Sequence, residues 1–131
     1  IAQLGPSDMR LPIQFALLYP QERQANDFKR FSFIDNRELT FEEPDLKTFP
    51  CLRLAYEAAK EGGTTPAILT AANDVVVKAF LQGKLEFYQI PYILEKVLSA
   101  HSKKASPSLE EILDVDQLTR EKTGKLIEKY N

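Results

Sequence analysis

Between Pro66 and Gly83 the apolar side chains Ile68, Ala71, Ala72, Val75, Val76, Ala79 and Phe80 recur at i, i+3, i+4 and i+7. This is the period of an α-helix with a buried face, and Leu69, Val77 and Leu81 widen that face on its flanks. Thr64 or Thr65 can cap the start, Pro66 suits the first turn because its missing N–H would be unpaired there, and Gly83 can close the helix in a left-handed conformation. Asp74 and Lys78 share the narrow polar strip, four residues apart in the favourable acid-before-base order. Asn73 falls outside that strip, between Leu69, Val77 and Phe80, so its amide is expected to find a partner inside the protein. The rest of the chain is organised around this helix.

On its C-terminal side the helical period continues. Leu52, Ala55, Tyr56 and Ala59 predict a helix from Cys51 to Glu61 with an apolar stripe, ended by Gly62 and Gly63. So short a turn predicts an antiparallel hairpin with the central helix. Lys84 to Gln89 reads as a brief extended connector with Leu85 and Phe87 facing one way. Pro91 then restarts a helix in which Ile90, Ile93, Leu94, Val97 and Leu98 keep the register, and His101 ends the stripe. Ser108 with Glu111 fits a capping box for a short helix carrying Leu109, Ile112 and Leu113. Asp114 or Asp116 is expected to cap a separate last helix with Val115, Leu118, Leu126 and Tyr130.

The N-terminal side has a different pattern. Residues 1–5 read as the end of a buried strand, Gly5 to Asp8 as a turn, and Pro12 as the opening of a short, largely buried helix that Pro20 stops. Aromatic and β-branched residues at 28–34 and 38–42, around Asp35, Asn36 and Arg37, predict one or two strands. An isolated hairpin is only marginally stable, so these strands call either for packing against the helices of this chain or, the favoured reading, for a sheet from a missing segment or a second subunit. Pro44, Asp45 and Pro50 mark a linker. The expected fold is therefore mainly α. A C-terminal four-helix-bundle-like domain at 51–131 follows a short α/β segment at 1–20 and an extended arm at 21–50.

Composition narrows the chemistry. With 131 residues the chain is about one domain long. Its 17 basic and 19 acidic side chains leave a net charge of −2 without long blocks of one sign, which points away from nucleic acid and from an anionic membrane. The lone Cys51 cannot form an internal disulfide and reads as a small buried apolar residue; it fits a reducing, cytoplasmic setting. One histidine and one cysteine are too few for a nucleophilic triad or a histidine metal site, and His101 reads as a core-edge residue. Gly62 and Gly63 follow a helix, without the strand and spacing a phosphate-binding loop requires. No catalytic, cofactor or metal residue is assigned to this chain.

Four motifs carry a resemblance. Gln3-Leu-Gly-Pro-Ser-Asp-Met-Arg-Leu-Pro-Ile13, Leu39-Thr-Phe-Glu-Glu-Pro-Asp45, Phe49-Pro-Cys-Leu-Arg-Leu-Ala55 and Leu69-Thr-Ala-Ala-Asn-Asp-Val-Val-Val-Lys-Ala-Phe-Leu81 stand in the order found in the C-terminal portion of the 1-deoxy-D-xylulose 5-phosphate reductoisomerase family, which this chain resembles throughout. The resemblance implies a whole enzyme that uses NADPH and Mg²⁺ or Mn²⁺ to convert 1-deoxy-D-xylulose 5-phosphate into 2-C-methyl-D-erythritol 4-phosphate in non-mevalonate isoprenoid biosynthesis. Its cofactor and metal residues would lie upstream of Ile1, leaving this segment inactive alone. The arm strand would join a sheet across a homodimer. Met9 occupies the methionine of the family's Pro-Asp-Met-Arg turn, which lies against a mobile substrate lid; Ser7 departs from the usual proline of that turn. Asp8 and Arg10 read as turn and salt-bridge residues. Thr70 and Asp74 depart from the family's Asn-Ala-Ala-Asn-Glu, while Asn73 is retained. The competing reading is a stand-alone helical interaction or dimerisation module with an adhesive aromatic edge at 28–41; a small hydrolase acting through His101 is a distant third.

Overall fold

The computed structural model describes residues 4–22 and 24–130. Five helices form: α1 (Arg10–Leu18), α2 (Cys51–Glu61), α3 (Thr65–Leu81), α4 (Gln89–Ser99) and α5 (Leu109–Glu128). The chain divides into two compact units, Ile1–Glu42 and Glu43–Asn131.

In the second unit α3 is central and packs against α2, α4 and α5. Ile68, Ala71, Ala72, Val76 and Ala79 are buried along it, as its apolar period predicts. Leu54 of α2, Ile90, Ile93 and Leu94 of α4, Ile127 of α5 and Leu85 of the α3–α4 connector complete the core. Burying each such isoleucine or leucine contributes on the order of 1.5–3 kcal/mol, so this unit holds most of the chain's folding energy. Gly83, at φ 71°, ends α3 in a Schellman motif: the Gly83 N–H donates to the Phe80 carbonyl (2.9 Å) and the Lys84 N–H to the Ala79 carbonyl (3.0 Å). Gly63, at φ 60°, closes the α2–α3 turn where a Cβ would run into the Lys104 carbonyl. Only glycine satisfies both requirements there.

Several expectations for this unit are corrected. Leu52, Ala55, Tyr56 and Ala59 are exposed, and α2 buries Leu54 and Ala58 instead. The stripe was read from its length, but the narrower face bearing the leucine and the small alanine meets α3. Cys51, the first residue of α2, is exposed rather than buried. The two expected terminal helices are one, α5. Its Ser108–Glu111 capping box is present, but Asp114 and Asp116 lie inside the helix because no glycine or proline interrupts the chain there. Leu85 is buried while Phe87 is exposed against the ring of Phe80, so the connector does not present both to one side.

The first unit has no comparable core. No residue of α1 is buried, although Leu11, Ile13, Phe15, Leu17 and Tyr19 are apolar. The expectation of a buried helix is not met, because the unit offers no second apolar layer. No β-strand is present among the described residues, so the strands expected at 28–34 and 38–42 do not form in this chain. They have no partner strand to pair with. A turn remains between them, with the Asn36 N–H donating to the Ser32 carbonyl (3.1 Å). Of the strand end expected at 1–5, residues 1–3 lie outside the described residues.

Candidate functional site

Proline at position 6 and the carboxylate at position 8 shape the turn before α1. The Asp8 N–H donates to the Pro6 carbonyl at 2.8 Å, and the Asp8 carboxylate accepts from the Arg10 N–H (3.0 Å), from Nε (2.9 Å) and from a terminal guanidinium nitrogen (2.6 Å). A charge-assisted fork of this kind fixes two side chains at once. The Arg10 guanidinium, and then its backbone N–H, hold the Asp8 carboxyl down to about 2. The other face of Arg10 lies over the Phe28 ring, 4.3 Å from its centre. Met9 is thereby caught between two locked neighbours at the N-cap of α1, and the residue is 71% exposed. Ser7 is also exposed. A fixed backbone presenting a soft, flexible side chain is a surface suited to a partner that moves.

In the second unit, Asp74 accepts from Arg120 of α5 at 2.9 Å, and Arg120 also binds Asp116 at 2.7 Å. These two carboxylates push the Arg120 guanidinium to a more basic value. The partner predicted from spacing, Lys78, is replaced by a cross-helix arginine that no local pattern could indicate. Asn73 is exposed, contrary to the expectation of an internal partner, because α2, α4 and α5 pack on other sides of α3.

Thr64 carries a role the sequence did not suggest. It occupies the N-cap of α3 without capping it; its hydroxyl meets His101 Nε2 at 2.7 Å and accepts from the Lys104 N–H at 3.1 Å. The Thr64 N–H donates in return to the Lys104 carbonyl (3.1 Å). Together these bonds fasten the α2–α3 turn to the α4–α5 loop, which is why Gly63 lies so near Lys104. Burial pushes the His101 imidazole below its ordinary value, with Glu61 opposing the shift and Lys122 adding to it. With the Lys104 N–H occupying one Thr64 lone pair, the hydroxyl hydrogen is free to point at a neutral Nε2. His101 is thus a structural pin.

Among the described residues, no group of three histidine, cysteine, aspartate or glutamate side chains is placed to hold a metal ion. Among them, too, no helix is long and apolar enough to cross a membrane.

The family model described as the DXP reductoisomerase C-terminal domain matches residues 4–122. The chain is 51% identical over 127 residues to 1-deoxy-D-xylulose 5-phosphate reductoisomerase of Acetivibrio thermocellus, covering 97% of this chain and 33% of the relative. It is equally similar, at 51% over 127 residues and with the same coverage, to the enzyme of that name from Desulforamulus reducens. Among solved structures it is similar to the reductoisomerase from Zymomonas mobilis in complex with NADPH, with a TM-score of 0.85 and 38% identity over 98% of this chain and 34% of that one. A reductoisomerase bound to NADPH, fosmidomycin and magnesium gives a TM-score of 0.84 at 33% identity, over 97% of this chain and 33% of that one. The chain thus spans about a third of the length of the relatives it matches.

Proposed function

The chain belongs to the DXP reductoisomerase C-terminal domain family, and from that membership we propose that it is the final third of an enzyme converting 1-deoxy-D-xylulose 5-phosphate into 2-C-methyl-D-erythritol 4-phosphate. The observation that carries this reading is a correspondence running nearly end to end along this chain while taking up only a third of each relative. NADPH and a divalent metal, Mg²⁺ or Mn²⁺, would supply the hydride and the Lewis acid. The described residues form no ligand cluster for that metal, so no chemical step is assigned to them. The whole enzyme would work in the cytoplasm.

The division of labour follows the sequence reading. Residues 1–20 would complete the catalytic domain, residues 21–50 would be the connecting arm, and residues 51–131 the helical domain. Met9, held between Asp8 and Arg10, would present its thioether to a lid closing over the substrate, with Ser7 allowing that turn more freedom than proline would. Asn73 and Asp74 would be structural polar positions: Asp74 ties α3 to α5 through Arg120, and Asn73 faces outward toward upstream segments. The exposed apolar groups Phe33, Ile34 and Phe41 support an arm that adds a strand to a sheet across a homodimer.

The test is turnover by the intact protein: NADPH consumption that requires both 1-deoxy-D-xylulose 5-phosphate and Mg²⁺ or Mn²⁺, with none from residues 1–131 alone. An intact protein that binds NADPH but never turns over this substrate would refute the reading. Met9→Ala should raise KM for the substrate by about threefold to tenfold, a loss of roughly 1 kcal/mol in lid contact, while leaving thermal stability unchanged.

A further inference from the structure

A groove of about 440 Å³ runs between α4 and α5, within the range of roughly 300–1,000 Å³ typical of small-molecule sites. Its apolar surface is supplied by Ile68 of α3, Val97 of α4, and Val115, Leu118 and Leu126 of α5. Four lysines, Lys96, Lys122, Lys125 and Lys129, line it too, as does His101.

Four ammonium groups thus gather along one apolar groove. Leu118, Lys122, Lys125, Leu126 and Lys129 share one face of α5, so lysine takes positions where the helical period would otherwise continue an apolar stripe. Three cations elsewhere in the unit meet carboxylates: Arg53 binds Glu57 and Glu95, Lys104 binds Glu111, and Arg120 binds Asp74 and Asp116. Among the described residues none of the four groove lysines forms such a salt bridge. Glu121 and Glu128 flank Lys125 in sequence at helical spacing, yet neither pairs with it. Lys96 donates to the Tyr130 hydroxyl at 2.7 Å and lies over the Tyr92 and Tyr130 rings, which pushes its ammonium up to about 12 and keeps it charged. Lys122 also bears on His101. Like charges at i, i+3 and i, i+4 repel along a helix, so the free groove carries an unfavourable charge that an anion would relieve.

We propose that the α4–α5 groove binds an amphipathic anion, a linear aliphatic chain lying on the Val97–Leu118–Leu126 floor with an anionic head among Lys122, Lys125 and Lys129. Lysine stems extend the apolar wall while their ammonium groups reach the head. The inference stands on the groove alone and does not rest on the proposed reductoisomerase function.

Isothermal titration of the intact protein with monomeric decanoate tests this, alongside decanol and acetate. One decanoate should bind per chain, with decanol and acetate each weaker by at least about tenfold. Lys122→Glu with Lys125→Glu, which change exposed side chains, should weaken decanoate by about tenfold or more, and Val97→Trp should block it by filling the floor. If either variant lowers the melting temperature, Lys122→Gln with Lys125→Gln gives the same reading without reversing charge. Equal affinity for decanol, insensitivity to both lysine pairs, or recruitment to phosphatidylglycerol vesicles without binding of soluble decanoate would overturn the proposal.

Discussion

Ile13 of α1 and Ile93 of α4 are both isoleucines on apolar helices, yet the first is 52% exposed and the second is fully buried. The contrast extends to their whole units. In Glu43–Asn131 every helix buries at least part of an apolar face against another helix of the unit, α3 most completely. In Ile1–Glu42 no residue of α1 is buried, and Phe33, Ile34 and Phe41 are exposed. Periodicity states that a face is made for burial, but the partner surface has to exist before any water is displaced. The second unit therefore has a core of its own, and the first has no comparable one among the described residues.

The largest effect expected from that contrast is on stability. Ile93→Ala should cost about 2–5 kcal/mol in denaturant unfolding of the chain, whereas Ile13→Ala should fall within about 0.5 kcal/mol. Repeating the pair in the intact protein sharpens the comparison: if upstream segments cover α1, the Ile13→Ala cost should rise toward that of Ile93→Ala. An unchanged small cost would mean that α1 stays exposed in the intact protein. Next in size, Gly63→Ala should destabilise by about 1–3 kcal/mol, because the backbone there is left-handed and the Lys104 carbonyl occupies the space of a side chain. Ser108→Ala removes a capping box that starts α5 and should cost about 0.5–2 kcal/mol.

The smallest effect is that of pH. His101 is held below its ordinary 6.5 in the folded state, chiefly by burial. The unfolded chain therefore takes up the proton first as pH falls. Its contribution is fully present above about pH 6.5 and is lost as pH drops through the lower folded value. Urea midpoints between pH 5 and 8 should show this decline, and His101→Gln should flatten it. A decline that persists unchanged in the variant would assign it to other groups.

Much of the second unit was legible in the sequence. The period of α3, its closing Gly83, the Gly62–Gly63 hairpin and the Ser108–Glu111 box are all local, and local rules are sufficient for them. The errors came where geometry is not local. The face of α2 that turns inward, the salt bridge from Asp74 to Arg120, and the bond from Thr64 to His101 join residues far apart in sequence, so no window of spacing contains them. The candidate turn at Asp8, Met9 and Arg10 was visible as a motif. That Phe28 covers Arg10 was not. The strands at 28–34 and 38–42 were a reading of β-prone composition, and composition cannot supply the second strand.

By itself, then, the sequence determined that the bundle segment is helical, where α2 and α3 end, where α5 begins, and to which family the motifs point, because capping, periodicity and turn chemistry act over a few residues. Only the tertiary structure decided which apolar faces are buried, that Asp114 and Asp116 lie within one continuous α5, and that four lysines without carboxylate partners gather over an apolar floor. Burial and electrostatics depend on what arrives from elsewhere in the chain, and that is a property of packing.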